Sequence, residues 1–209
     1  MNSVVTRFIV GTALLIASAG VQSTLITSTT NIDNQYEIYI STSENVLGTS
    51  FGIGDNWRKT FIDTFELIDG TDYFLHIKAI DAGGRSGMLG EFSLSDSAFE
   101  FFNGTQNLLT GDSALLVSTV FGSNYVVATD YGAYGSRPWN TRGTSPWNTN
   151  IGSVLPVETA RWVWSDDNSN DNLVYFRAQI FATDVSEPGT LGLFGLVLLL
   201  LRIRCRQNT

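Results

Sequence analysis

The stretch YFLHIKAI, residues 73–80, decides the fold. Tyr73, Leu75, Ile77 and Ala79 fall on one side, while His76 and Lys78 are out of phase with them. Successive side chains of a strand point to opposite faces, so a period of two predicts a strand with one face in a core. The pattern repeats outward along the chain. QYEIYIS sets Tyr36, Ile38 and Ile40 on one face, and TFIDTFELI sets Phe61, Phe65 and Leu67 together with Asp63 between them. GEFSLS, ALLVSTVF, ARWVWS and LVYFRAQIF read as further strands. Clusters of Gly, Asn, Asp and Ser separate them: GIGDN, DAGGRSG, NGTQN and SDDNSNDN. Many short strands with turn punctuation and no long helical period predict an all-β domain, an antiparallel sandwich or jelly roll.

The chain has 209 residues, and its two ends differ from the middle. Residues 1–19 hold one cation, Arg7, then an apolar run from Phe8 to Ala17 and the small residues Ala17-Ser18-Ala19. A positive start, a short apolar run and an A-x-A site make a secretory signal peptide, with cleavage expected after Ala19. Residues 20–184 are the expected β-sandwich domain. Of the 12 cations four lie in the ends (Arg7, Arg202, Arg204, Arg206), which leaves, over residues 20–188, eight against 20 acids and a net charge of −12. Such a surface repels nucleic acid and anionic headgroups. The single cysteine, Cys205, lies in the tail, so the domain is read without disulfides or cysteine metal sites.

The tail, 185–209, has three parts. Ser186-Glu187-Pro188 comes first, then 13 uncharged residues from Gly189 to Leu201, then a basic end at 202–206. As a helix the uncharged run spans about 20 Å, short of a bilayer core of about 30 Å. Its seven Leu, with Phe194 and Val197, favour insertion by roughly 3 to 5 kcal/mol in total. Arg202, Arg204 and Arg206 act as the stop-transfer element, held on the cytoplasmic side, and snorkelling eases the mismatch. Pro188 disfavours helix at Glu187 and leaves an extended segment that a protease can bind.

The order and terminal position of these parts resemble the PEP-CTERM sorting signal over about 24 residues. Its usual tripeptide is Pro-Glu-Pro, where this chain has Ser186-Glu187-Pro188. The resemblance implies processing at that motif by exosortase, a membrane cysteine protease, and association with exopolysaccharide systems of Gram-negative bacteria. It also implies an inner-membrane-anchored precursor that is then released to the cell surface or beyond.

The middle carries a second resemblance. Asp33-Asn34-Gln35-Tyr36-Glu37-Ile38-Tyr39-Ile40, then Asp55-Asn56-Trp57, then Ile77-Lys78-Ala79-Ile80-Asp81 with Gly83-Gly84, is similar to the first half of galactose-binding-like jelly rolls. Arg161-Trp162-Val163-Trp164 resembles their late tryptophan strand. After the first strand those domains often show Asn-Gly; this chain has Ser41-Thr42-Ser43-Glu44. The resemblance implies a fold and no site residues.

Candidate sites are few. Pro138-Trp139-Asn140-Thr141 recurs as Pro146-Trp147-Asn148-Thr149 within a long loop expected from Tyr131 to Asn150. Trp139 and Trp147 there either stack on sugar rings or fold back as a lid. Asp166, Asn168, Asn170 and Asp171 form the candidate Ca²⁺ cluster. Asp166, Asn168 and Asn170 match positions 1, 3 and 5 of an EF-hand loop, but Asp171 and Arg177 replace the required Gly and Glu. The bland alternative is a solvated hairpin loop between ARWVWS and LVYFRAQIF. Gly52-Ile53-Gly54 is read as a turn without the helix that would cradle phosphate. His76, the only histidine, is expected half-exposed on its strand, with no Ser-His-Asp setting around it. Glu91, Glu100 and Glu158 are nominal carboxylates for a glycosidase pair.

The expectation is an exported, non-enzymatic surface or extracellular-matrix protein without a cofactor, Ca²⁺ being the one ion considered. Its expected partners are exosortase, the inner membrane before processing, and exopolysaccharide. A carbohydrate-binding module using the loop tryptophans is the alternative, and a jelly-roll hydrolase acting on polysaccharide the second.

Overall fold

The structure, a computed structural model, describes residues 23–57, 59–133 and 159–183. Residues 1–19, expected as a signal peptide, Trp139, Trp147, Glu158 and residues 185–209 with Ser186, Glu187, Pro188, Arg202, Arg204 and Arg206 lie outside the described residues.

Thirteen strands are described: β1 (Thr24–Asp33), β2 (Gln35–Ser41), β3 (Thr49–Gly54), β4 (Phe61–Leu67), β5 (Tyr73–Ile80), β6 (Gly87–Leu94), β7 (Phe99–Phe101), β8 (Asn107–Leu109), β9 (Leu116–Ser118), β10 (Val126–Val127), β11 (Thr129–Ala133), β12 (Arg161–Trp164) and β13 (Leu173–Ala182). Every pairing is antiparallel. One sheet runs β11-β12-β6-β1-β4, with β8 also on β6. The other runs β10-β9-β13-β5-β2-β3, with β7 also on β13.

The alternation read from the sequence places the core. Tyr36, Ile38, Ile40, Leu75, Ile77, Ala79 and Phe176 turn inward from the second sheet, and Ile26, Ile32 and Phe92 from the first. Burying one such large side chain stabilises by about 1.5–3 kcal/mol. Aromatic pairs join the sheets: Trp164 meets Phe176 at 5.7 Å, Phe51 meets Phe65 at 5.6 Å, and Tyr36 meets Phe61 edge-on at 6.0 Å. The two layers are an antiparallel β-sandwich.

Four expectations change. Gly52-Ile53-Gly54 belongs to β3 rather than to a turn. A Cβ on Gly54 would stand 2.0 Å from Tyr36 Cε1, and one on Gly52 2.7 Å from Asp63 Oδ2. The glycines therefore serve close approach rather than a reversal. SDDNSNDN is no hairpin, because β12 lies in the first sheet and β13 in the second. It arches between the layers. Tyr131 to Ala133, expected in a loop, belong to β11, whose register on β12 shifts between Asp130 and Gly132. Gly132 takes φ +119° there. His76 is fully buried, because loops cover the outer face of its sheet.

Both ends of the described sandwich fasten to one loop between β6 and β7. The Thr24 hydroxyl donates to Asp96 Oδ1 at 2.8 Å, and the Leu25 amide to Ser95 Oγ at 2.9 Å. At the other end the Thr183 amide donates to the Ala98 carbonyl at 2.9 Å and its hydroxyl to that of Ser97 at 2.6 Å.

Candidate functional site

The outer face of the second sheet carries the side chains that alternate with the core. In register across β2, β5, β13 and β9 stand Tyr39, His76, Arg177 and Leu116. The adjoining row holds Ser41, Phe74 and Gln179. Aromatic and charged groups thus share one face because each sits one residue away from an inward-facing apolar side chain.

Two loops lie over this face. In the β2–β3 loop the Ser43 amide donates to Ser41 Oγ at 3.1 Å, and the Ser43 carbonyl accepts from His76 Nε2 at 3.3 Å. A carbonyl only accepts, so Nε2 carries the proton. The β9–β10 loop brings Phe121 to 5.4 Å from both His76 and Tyr175. Ser118 Oγ accepts from the Val120 amide at 3.0 Å and lies 2.6 Å from the Ser123 carbonyl oxygen, which curls that loop. Gly122, at φ +76°, meets the loop holding Asn45: a Cβ there would lie 3.3 Å from Asn45 Oδ1.

Beside the loops a groove of about 250 Å³ opens, lined by Glu44, Phe74, Phe102, Leu116, Arg177 and Gln179 among others. It lies where β13 changes partner from β9 to β7; the Phe102 amide donates to the Gln179 carbonyl at 3.0 Å. Phe102 is 66% exposed and leans on Phe181 at 6.2 Å. Arg177 pairs with Glu44, and its guanidinium carbon sits 4.2 Å above the Tyr125 ring. That stack fixes the arginine fork, which otherwise loses rotamer freedom on forming a pair.

The groove is smaller than the roughly 300–1,000 Å³ that encloses a drug-sized ligand, so it takes a ring or a short chain segment. It offers flat apolar faces beside a guanidinium, a carboxylate and an amide. Burial pushes the His76 pKa down, with a smaller push from Arg177, against upward pulls from the Ser43 carbonyl and Glu44. A neutral imidazole results, and its Nδ1 is buried without a hydrogen-bond partner. Its hydrogen bond goes to a backbone carbonyl, which neither activates a nucleophile nor orients a base.

The residues singled out from the sequence are dispersed. Asn168, only 3% exposed, is a clasp: its carbonyl accepts from the Ser86 amide at 2.8 Å, and Oδ1 accepts from Arg85 Nη1 at 3.3 Å. Asp166 and Asn170 are exposed. Asp167, not among the calcium candidates, organises the loop through the Ser169 and Asn170 amides at 3.1 and 3.2 Å. The Asp171 carbonyl accepts from Trp164 Nε1 at 2.9 Å. Among the described residues no group of three or more His, Cys, Asp or Glu is placed to hold a metal ion. Glu91 stands on β6 in the first sheet and Glu100 on β7 in the second. Sequence reading missed the groove residues Arg177, Glu44, Phe74 and Phe102. The available signal was a lone arginine in phase with Tyr175 and Gln179 in a strand otherwise rich in apolar residues.

No protein-family model, curated protein or solved structure matches the chain. Among the described residues no helix is long and apolar enough to cross a membrane.

Proposed function

We propose that the protein is an exported, non-enzymatic surface or extracellular-matrix component whose β-sandwich holds polysaccharide in the groove beside Arg177. The groove carries the reading: the exposed Phe102 and the half-buried Phe74 line the same cleft as the Arg177–Glu44 pair and Gln179. A sugar has the same dual character, with an apolar ring face and a rim of hydroxyls. The paired charges offer that rim both donors and acceptors. The sandwich itself is read as a galactose-binding-like jelly roll, supported by Trp57 after β3, Asp81 after β5 and the tryptophans of β12. Trp139 and Trp147 are proposed as further sugar contacts. Delivery rests on the exosortase-type tail.

The test is retention of the full chain on immobilised polysaccharides, including acidic exopolysaccharide, alongside Phe102→Ala and Arg177→Ala. Phe102→Ala removes an already exposed ring, so folding is spared. A loss of about tenfold in affinity, equal to about 1.4 kcal/mol, is expected for each variant. Failure of every polysaccharide to bind, or undiminished binding by Phe102→Ala, would overturn the reading.

A further inference from the structure

The corner where the chain passes from the first sheet to the second carries an acid pair, Asp81 buried and Asp33 half-buried, that the groove does not use. Asp33 ends β1 and Gln35 opens β2. Asn34 between them is fixed on three sides. Its amide donates to the Ile80 carbonyl at 2.9 Å, its Oδ1 accepts from the Ala82 amide, and its Nδ2 donates to Asp33 Oδ1. Asp81 follows β5 directly, and its amide donates to the Asn172 carbonyl at 2.9 Å. Its Oδ2 accepts from the Gly83 amide at 2.8 Å. Asp81 is only 4% exposed, yet its Oδ1 is buried with no hydrogen-bond partner. Burial, and then the neighbouring Asp81 charge, push the Asp33 carboxyl up to about 7.

A buried carboxylate oxygen without a donor is costly, and a second carboxylate beside it adds repulsion. A shared cation removes both penalties. The two carboxylates form an oxygen-only donor set, with the buried, unpartnered Asp81 Oδ1 as its free acceptor. Oxygen donors of this kind suit hard cations rather than zinc or copper.

We propose that Asp33 and Asp81 together hold a hard divalent cation, Ca²⁺ or Mg²⁺, at the β1–β2 corner. This site is separate from Asp166, Asn168, Asn170 and Asp171. The bound ion ties the end of β1 to the segment after β5, and so braces the junction of the two sheets.

The experiment is calorimetric titration of the full chain, stripped with EDTA, with CaCl₂ and separately with MgCl₂ at pH 7.5. Wild type is expected to take one ion per chain with a Kd of about 0.1–1 mM, the range of extracellular modules. The two titrations identify the preferred ion. Asp33→Asn and Asp81→Asn are each expected to weaken binding at least tenfold, while the Asp166→Asn/Asp171→Asn double variant binds as wild type. Asp33 is the less buried of the pair, so Asp33→Asn carries the test if Asp81→Asn does not fold. Absence of binding by wild type overturns the proposal. So does binding that survives Asp33→Asn and disappears in the double variant.

Discussion

Asp63 faces the interior of the sandwich from β4, directly opposite Ser28 of β1. Its Oδ2 and the Ser28 hydroxyl are buried without partners, and desolvation pushes the Asp63 carboxyl up. The folded protein therefore keeps this proton to higher pH than the unfolded chain does. The associated stability is fully present below the ordinary carboxylate range and is lost as the pH rises through the folded-state value. Asp63→Asn, neutral at every pH, is expected to match wild type near pH 4 and to exceed it near pH 8, as read from urea midpoints. An identical pH slope in the two proteins would refute this. The Asp63 phase was legible, since it lies between Phe61 and Phe65 on the face that reads as core. His76 was not: a histidine out of phase with Leu75 and Ile77 reads as half-exposed, and only the loops carrying Ser43 and Phe121 bury it. Local periodicity carries no information about what a distant loop covers.

Among the elements, β3 shows how a glycine pair can mislead. Gly52 and Gly54 punctuate the sequence as a turn would, yet both lie on a strand over Asp63 and Tyr36. Gly54→Ala drives a methyl into a ring that is only 4% exposed and has nowhere to go. A loss of about 1–3 kcal/mol is expected, seen as a lower urea midpoint with an unchanged slope. A midpoint equal to wild type would show that the Tyr36 ring yields freely. β1 was missed for a different reason. Its inward positions are Thr24, Ile26, Ser28, Thr30 and Ile32, so small hydroxyl side chains interrupt the apolar alternation. β2, β5, β12 and β13 were legible because apolar side chains recur at every second residue, and β4 and β6 because Phe61, Phe65 and Leu67, and Phe92 and Leu94, keep that phase.

At the scale of the whole molecule, the layered β architecture was readable from strand count and turn chemistry, but the order of strands was not. β12 and β13 are consecutive and lie in different sheets, a choice made by partners far away in sequence. The groove was illegible for the same reason, since Glu44, Phe102 and Arg177 meet only after β13 has found both β9 and β7. The proposed delivery makes its own prediction. Mass spectrometry of the exported form is expected to end near Pro188, and recovery of Arg206 in mature protein would defeat the sorting reading. Where such a protein is tethered through its C-terminal side, the fastening of Thr183 has a mechanical meaning. Tension arriving at Thr183 runs along β13, a central strand laddered to β5 on one edge and to β7 and β9 on the other. Those ladders are loaded in shear, many hydrogen bonds at once, rather than peeled one by one from a free edge. A strand so placed lets the sandwich withstand drag from flow without opening.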